Sequence, residues 1–335
     1  MTDLQTSSAP SSNTTPSMRW NAEALWQQLL PLLPGLSVEV VARSPSTNTA
    51  LLERARGAGQ PTEVNSGDSQ NGTQWGQVRR SLESAAFGRR SVDLQPCLLV
   101  AEHQTSGRGR QGRPWQAVAG ASLTFSLALP LAPSDWSGLS LAVGVALADA
   151  LEPLQSGQVP RIGLKWPNDL WIMDGGVPTP GGSLGAGRKL AGILIETVNA
   201  PDKRLAVIGV GLNVLPLYPT DVKSGVACLQ EIEPQTTPPA ALAQIALPLV
   251  QALVQFERQG FAAFEQRYSR RDILRGRQVH TTHAQARVAM AQGVGAGGVL
   301  RVTAEDGVVH QINSGEVNVR LDPPGPDSLF GVFQS

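Results

Sequence analysis

Residues 97–129 read CLLVAEHQTSGRGRQGRPWQAVAGASLTFSLAL, and the architecture turns on this stretch. Cys97 to Ala101 is an unbroken apolar run of strand length, while Ser122 to Leu129 alternates strictly, with Leu123, Phe125, Leu127 and Leu129 on one face. Two core strands thus bracket Gly107-Arg-Gly-Arg-Gln-Gly-Arg113, where three guanidinium groups sit on a backbone freed by three glycines. Arginine grips a carboxylate or phosphate through two parallel bonds, and glycine lets backbone amides approach an anion closely. Such a loop can hold two mutually repelling anions together. Taken alone, seven residues of this kind read equally as a basic flexible loop or an RGG-like RNA segment. The flanking strands, with His103-Gln-Thr-Ser106 before the loop and Pro114-Trp115 after it, favour a basic loop presented by a rigid scaffold.

Moving toward the N-terminus, residues 57–92 are rich in Gly, Ser, Asn and Arg and read as a surface insertion. Before them, Leu36 to Ala42 alternates as a strand, and Ser46-Thr-Asn48 opens a helix whose body is Ala50 to Arg56. A shorter helix precedes these, capped by Asn21, with Leu25 and Leu29 one turn apart and Pro31 stopping it. Residues 1–19 are polar and low in complexity, which predicts a disordered tail.

Toward the C-terminus, Leu139 to Leu151 reads as an apolar helix and Ile162 to Trp166 as a strand. Lys189 to Thr197 and Leu205 to Val214 suggest an antiparallel hairpin. Residues 174–188 form a second Gly/Pro/Ser-rich insertion. Pro238 to Tyr268 is helical, interrupted near Gly260, and ends in Ser269-Arg-Arg-Asp272, whose charges suit a linker. From Ile273 on, short β runs alternate with glycines, as in a small barrel. The expected organisation is a tail at 1–19, a larger α/β domain at 20–270 and a small β domain at 271–335.

Composition narrows the functional classes. Lys+Arg and Asp+Glu each total 27, so no global field would hold DNA or an acidic membrane, and neither is an expected partner. Of the 27 basic residues only four are lysines, Lys165, Lys189, Lys203 and Lys223, and two of these fall in motifs. Cys97 and Cys228 lie far apart without metal-ligand spacing, and the start of the chain lacks an export signal, which makes a reducing cytoplasm the expected compartment. His103, His280, His283 and His310 pair with no convincing nucleophile motif. Gly209-Val-Gly211-Leu-Asn213 lacks the third glycine and following helix of a dinucleotide fingerprint.

Lys165-Trp-Pro-Asn-Asp169 closes a strand, with Pro167 ending the ladder and a compact positive charge fixed at the strand end. Together with the Gly107 to Arg113 loop, Lys189-Leu-Ala-Gly192 and the closing Ser314-Gly-Glu-Val-Asn-Val-Arg320, it gives the chain its resemblance to biotin protein ligases. The resemblance spans about residues 36–320, interrupted at the two insertions. It implies a catalytic domain like that of class II aminoacyl-tRNA synthetases, with a mixed sheet, followed by an SH3-like barrel. It also implies ATP, Mg²⁺ and biotin as small molecules, and as partner a biotin carboxyl carrier protein, an acetyl-CoA carboxylase subunit or similar.

The resemblance implies catalytic roles for Lys165 and Arg110. Ser46, Thr47, Asn48, Gln104, Arg108, Gly109, Arg110 and Lys165 would bind biotin, and Arg113, Trp115, Asn168, Lys189 and Asn213 the nucleotide. Asp169 is a candidate for Mg²⁺. Two rivals accompany this reading. A lipoate or octanoate ligase or transferase would use the same scaffold, and a biotinyl-AMP-dependent repressor would need a helix-turn-helix domain for which the residues before the catalytic motifs leave little room.

Overall fold

The computed structural model describes residues 18–57, 86–87, 94–177, 187–199, 204–216, 225–313 and 319–321. Most of the expected tail, most of both insertions and Ser314 to Asn318 lie outside these residues. Among the described residues, α1 (Ala22–Leu29) leads into β1 (Ser37–Ser44), α2 (Thr47–Gly57), β2 (Ala86–Phe87) and β3 (Cys97–Gln104). The basic loop carries β4 (Gly107–Arg108) and β5 (Pro114–Trp115), and then come β6 (Ser122–Pro130) and α3 (Leu139–Leu151). β7 (Ile162–Lys165), β8 (Asp169–Met173), β9 (Gly187–Asn199) and β10 (Arg204–Asn213) complete one mixed sheet in the order β2-β1-β3-β6-β10-β9-β8-β7. Among the described strands of this sheet, only β1 and β3 pair in parallel.

Helices cover the two faces of this sheet unequally. On one face lies the main core, where Leu123, Phe125, Leu127 and Leu129 of β6 meet α1, α3 and α4 (Pro238–Gln259). Helix α3 is apolar apart from Ser140 and Asp149, and ten of its residues are buried, the pattern of a helix enclosed by core. At 22 residues, α4 is long and apolar enough to cross a membrane by length and composition, yet its buried positions, such as Leu242, Ile245, Leu249 and Phe256, form one stripe inside this core. The Thr237 side chain caps it, and Gly260 ends it at a φ of 62°.

On the other face β6 is also buried, through Thr124, Ser126 and Ala128. Its strict alternation therefore separates an apolar layer from a polar one, because α2 packs over the second face with its own small cluster around Leu51, Leu52 and Val207. Asn21 does occupy the position before α1, but in the left-handed region and without a side-chain cap, so Leu25 and Leu29 hold that helix by packing.

After α5 (Glu265–Ser269), strands β11 (Gln278–Thr281), β12 (Val288–Val294), β13 (Leu300–Ala304), β14 (Val309–Ile312) and β15 (Val319–Leu321) build an antiparallel sheet in the order β14-β13-β12-β11-β15, consistent with an SH3-like unit. Within Ser269 to Asp272, expected as a linker, Ser269 and Arg270 are exposed, but Arg271 and Asp272 are buried and anchor the chain. The fully buried Arg271 side chain reaches Asp149 Oδ1 at 2.9 Å and Glu152 Oε2 at 2.8 Å, and also donates to the carbonyls of Ile162 and Glu152. Its own backbone carbonyl accepts from Leu164 N, which fixes β7. Charge density suggested solvent, but every guanidinium edge has a partner, and paired burial is then tolerated.

Two predictions follow from this anchor. Arg271→Met leaves Glu152 buried without its cation, which should cost about 3–5 kcal/mol, read as a lower urea midpoint; an unchanged midpoint would contradict the anchoring role. Burial pushes the Asp272 carboxyl from 3.8 up to about 6, against the pull of the Leu274 and Arg275 backbone amides. Because the folded state then holds its proton more tightly than the unfolded chain, stability should fall as pH rises from about 4 to about 6. Asp272→Asn should remove that part of the slope in unfolding measured across this range.

Candidate active site

The open part of the α2 face is a cavity of about 580 Å³ between α2, the basic loop, the β7–β8 turn and the middles of β9 and β10. Strand β7 ends at Lys165, the chain turns over Trp166-Pro167-Asn168, and Asp169 pairs directly with Lys165 as β8 begins. The motif is therefore a hairpin turn, which aims Lys165, Asn168 and Asp169 at one place. Asn168 is held there by Ile193, since its Nδ2 donates to the Ile193 carbonyl at 2.8 Å and its carbonyl accepts from Ile193 N at 3.0 Å.

All but one of the residues expected from the sequence reach this cavity. Ser46, Thr47, Asn48, Gln104, Arg108, Gly109, Arg110, Arg113, Trp115, Lys165, Asn168, Asp169 and Lys189 line it. Asn213 does not. It sits at the far end of β10, buried, with its amide toward the Lys189 carbonyl at 3.4 Å. Gly209 and Gly211 line the floor because side chains occupy the space their own would take. A Cβ at Gly209 would strike the Asn48 amide, and one at Gly211 would strike the Trp115 indole. The close approach that these glycines permit is thus by Asn48 and Trp115.

Among the described residues, five cationic side chains line the cavity beside one carboxylate. That carboxylate, Asp169, lies 2.8 Å from Lys189 Nζ, which also stands over the Trp115 ring at 5.5 Å. Lys165 Nζ stands over the Trp171 ring at 4.5 Å. Arg108 Nη2 donates to both carboxylate oxygens of Glu196 at 3.0 and 3.2 Å, and its Nε donates to Thr49 Oγ1. Burial pulls the Arg110 guanidinium below its ordinary value; Asp169 opposes the shift and neighbouring Arg113 adds to it. A half-buried cation whose charged form is disfavoured gains most from an incoming anion. In the loop itself Gln111 holds a φ of 56°, uncommon for a residue with a side chain, and a short helical turn brings Arg113 N to the Arg110 carbonyl.

The floor is polar and closely bonded. Gln104 Oε1 accepts from Thr47 N at 3.0 Å, and Asn48 Nδ2 donates to Leu194 O and to Glu196 Oε2. Sequence reading missed Ser126, Glu196 and Trp171. Ser126 sits at the polar phase of the alternating β6, a signal that was present; Glu196 follows an apolar run in β9, and nothing marked Trp171 apart from an ordinary core aromatic. Among the described residues no group of three or more His, Cys, Asp or Glu side chains could hold a metal ion. Burial and then Glu39 push the Cys97 thiol up to about 11, which removes it as a nucleophile.

A family profile described as the Biotin/lipoate A/B protein ligase family matches residues 90–213. The bifunctional ligase/repressor BirA of Escherichia coli K12 is 30% identical over 300 residues, covering 88% of this chain and 77% of that protein. A biotin–[acetyl-CoA-carboxylase] ligase of Mycobacterium tuberculosis is 40% identical over 136 residues, covering 40% of this chain and 44% of that one. In fold, the chain is similar to the biotin protein ligase of Aquifex aeolicus solved with biotin and ATP, with a TM-score of 0.59 at 23% identity over 85% of this chain and 99% of that one.

The charge imbalance has a consequence independent of any natural ligand. Inorganic tripolyphosphate should raise the melting temperature of the wild type, less so at high salt, and markedly less in Lys189→Gln. An equal shift in both proteins would show that the anion binds elsewhere.

Proposed function

Because the chain belongs to the biotin/lipoate A/B protein ligase family, we propose that it uses ATP to join biotin to a lysine of a biotin carboxyl carrier protein, through a biotinyl-5′-AMP intermediate. In this proposal residues 20–270 form the catalytic unit and 271–335 the SH3-like one. The observation that carries it is the convergence of the Gly/Arg loop, the Lys165 turn, Lys189 and Trp115 on one cavity whose charge is strongly positive.

In the first step a carboxylate oxygen of biotin attacks the α-phosphorus of ATP, forming the acyl–phosphate bond while the bond to the β-phosphate breaks and pyrophosphate leaves. Two anions about 4 Å apart repel by roughly 4 kcal/mol at an effective dielectric near 20, which alone would slow the step about a thousandfold. Arg110, Lys165 and Lys189, already held around the cavity, supply the compensating charge without reorganising. Arg108 and Gly109 lie with Ser46, Thr47, Asn48 and Gln104 on the biotin side, and Arg113, Trp115 and Asn168 on the nucleotide side. Trp115 offers an indole face for adenine.

Mg²⁺ fits this site as a partner of the triphosphate, because it is commonly held by one or two carboxylates plus phosphates, and Asp169 is one such carboxylate. In the second step the carrier lysine amine attacks the acyl carbon, forming the amide and releasing AMP. No covalent bond to the enzyme is needed. The anion-gripping loop and the 40% identity to a biotin ligase favour biotin over lipoate or octanoate. A cytoplasmic setting and an acetyl-CoA carboxylase carrier complete the proposal.

Pyrophosphate exchange into ATP should depend on biotin and show no response to lipoate or octanoate. Lys165→Met and Lys189→Met should each lower it by about a hundredfold or more. Exchange driven by lipoate, or undiminished exchange in both variants, would overturn the reading.

A further inference from the structure

Beneath the cavity floor lies a chain of four polar side chains whose protons can be placed one by one. Ser126 is fully buried, does not line the cavity, and sits 2.6 Å from both Thr47 Oγ1 and Asn48 Oδ1. Two oxygens that close need a proton between them. Asn48 is oriented by its other end: Nδ2 donates to the Leu194 carbonyl at 3.1 Å and to Glu196 Oε2 at 3.0 Å. Flipping the amide would set Oδ1 against two acceptors, so Oδ1 faces Ser126 and can only accept. The single Ser126 proton is thereby committed to Asn48. The 2.6 Å contact with Thr47 must then use the Thr47 proton, pointing down at Ser126. Consistent with this, the alternative acceptor for that proton, Gln104 Oε1, lies farther away at 3.3 Å and is already engaged by Thr47 N.

The result is a polarised floor. Thr47 turns only lone pairs toward the cavity, while Gln104, whose oxygen is engaged, has its Nε2 hydrogens to give. An adjacent acceptor and donor match a cyclic urea, in which ring N–H groups flank a carbonyl. We propose that Ser126, acting through Thr47 and Asn48, is a specificity-determining positioning residue that fixes this polarity and so selects substrates presenting a ring N–H beside a carbonyl. The inference rests on the biotin reading and assigns its head-group selectivity to a residue the substrate does not touch. In Ser126→Ala the Thr47 hydroxyl is released to rotate, and the floor loses its fixed acceptor.

The test is pyrophosphate exchange by the full chain in the wild type and Ser126→Ala, with biotin and with a biotin analogue in which oxygen replaces one ring N–H. The KM for biotin should rise about tenfold or more, while kcat and the KM for ATP stay within about twofold, the scale expected when a buried hydrogen bond to a ligand loses its orientation. The analogue should be about tenfold worse than biotin in the wild type and nearly equal to it in the variant. Ser126→Cys, which keeps a weak hydrogen-bonding group and serves if the alanine variant does not fold, should give an intermediate KM. An unchanged KM for biotin, or an equal analogue penalty in wild type and variant, overturns the proposal. A wild type without biotin-dependent exchange overturns the biotin reading itself, and this inference with it.

Discussion

Like charges crowded around one cavity are the constraint on which the rest of the molecule depends. Among the described residues, Arg108, Arg110, Arg113, Lys165 and Lys189 converge with Asp169 as the one carboxylate lining the same cavity, and an arrangement of this kind stands only if each charge is compensated or kept partly in water. The surroundings supply local compensation. Glu196 takes Arg108, Asp169 takes Lys189, and the faces of Trp171 and Trp115 carry Lys165 and Lys189. Arg110, the most buried of the three loop arginines, is left with its charged form disfavoured, so the site is poised for anions.

That poise needs a stiff frame. The main core lies on the opposite face of the sheet, where α3 and α4 bury β6, and the Arg271 anchor ties the Lys165 strand to both α3 and the C-terminal segment. Trp166, within the turn that aims Lys165, donates from Nε1 to the Gly298 carbonyl at 3.1 Å, so the connection between β12 and β13 also braces this turn. On the site face the packing is polar, and glycines at 209 and 211 let Asn48 and Trp115 lie flat on the floor.

The sequence made much of this legible, for identifiable reasons. Apolar runs and strict alternation marked β3 and β6, and the breaks at Pro31 and Gly260 marked helix ends, because these signals are local. The motif residues reached one cavity because they lie at strand ends, helix starts and the loops between them, where side chains point out of the sheet. What failed was non-local. The charge of Arg271 looked like part of a linker because its partners, Asp149 and Glu152, are more than a hundred residues away. Ser126 went unnoticed for the same reason, since its meaning depends on which helix covers its face.

The central claim, that this cluster of cations brings a biotin carboxylate to the α-phosphorus of ATP, is most directly tested by isolating the product of that encounter. The enzyme would be incubated with biotin, Mg²⁺ and ATP labelled at the α-phosphate, without any carrier protein, and passed rapidly through a gel-filtration column. The account predicts near-stoichiometric label co-eluting with the protein as biotinyl-5′-AMP, released from it by hydroxylamine as biotin hydroxamate and AMP. Label retained only as unreacted ATP, or an adenylate formed equally well without biotin, would contradict it.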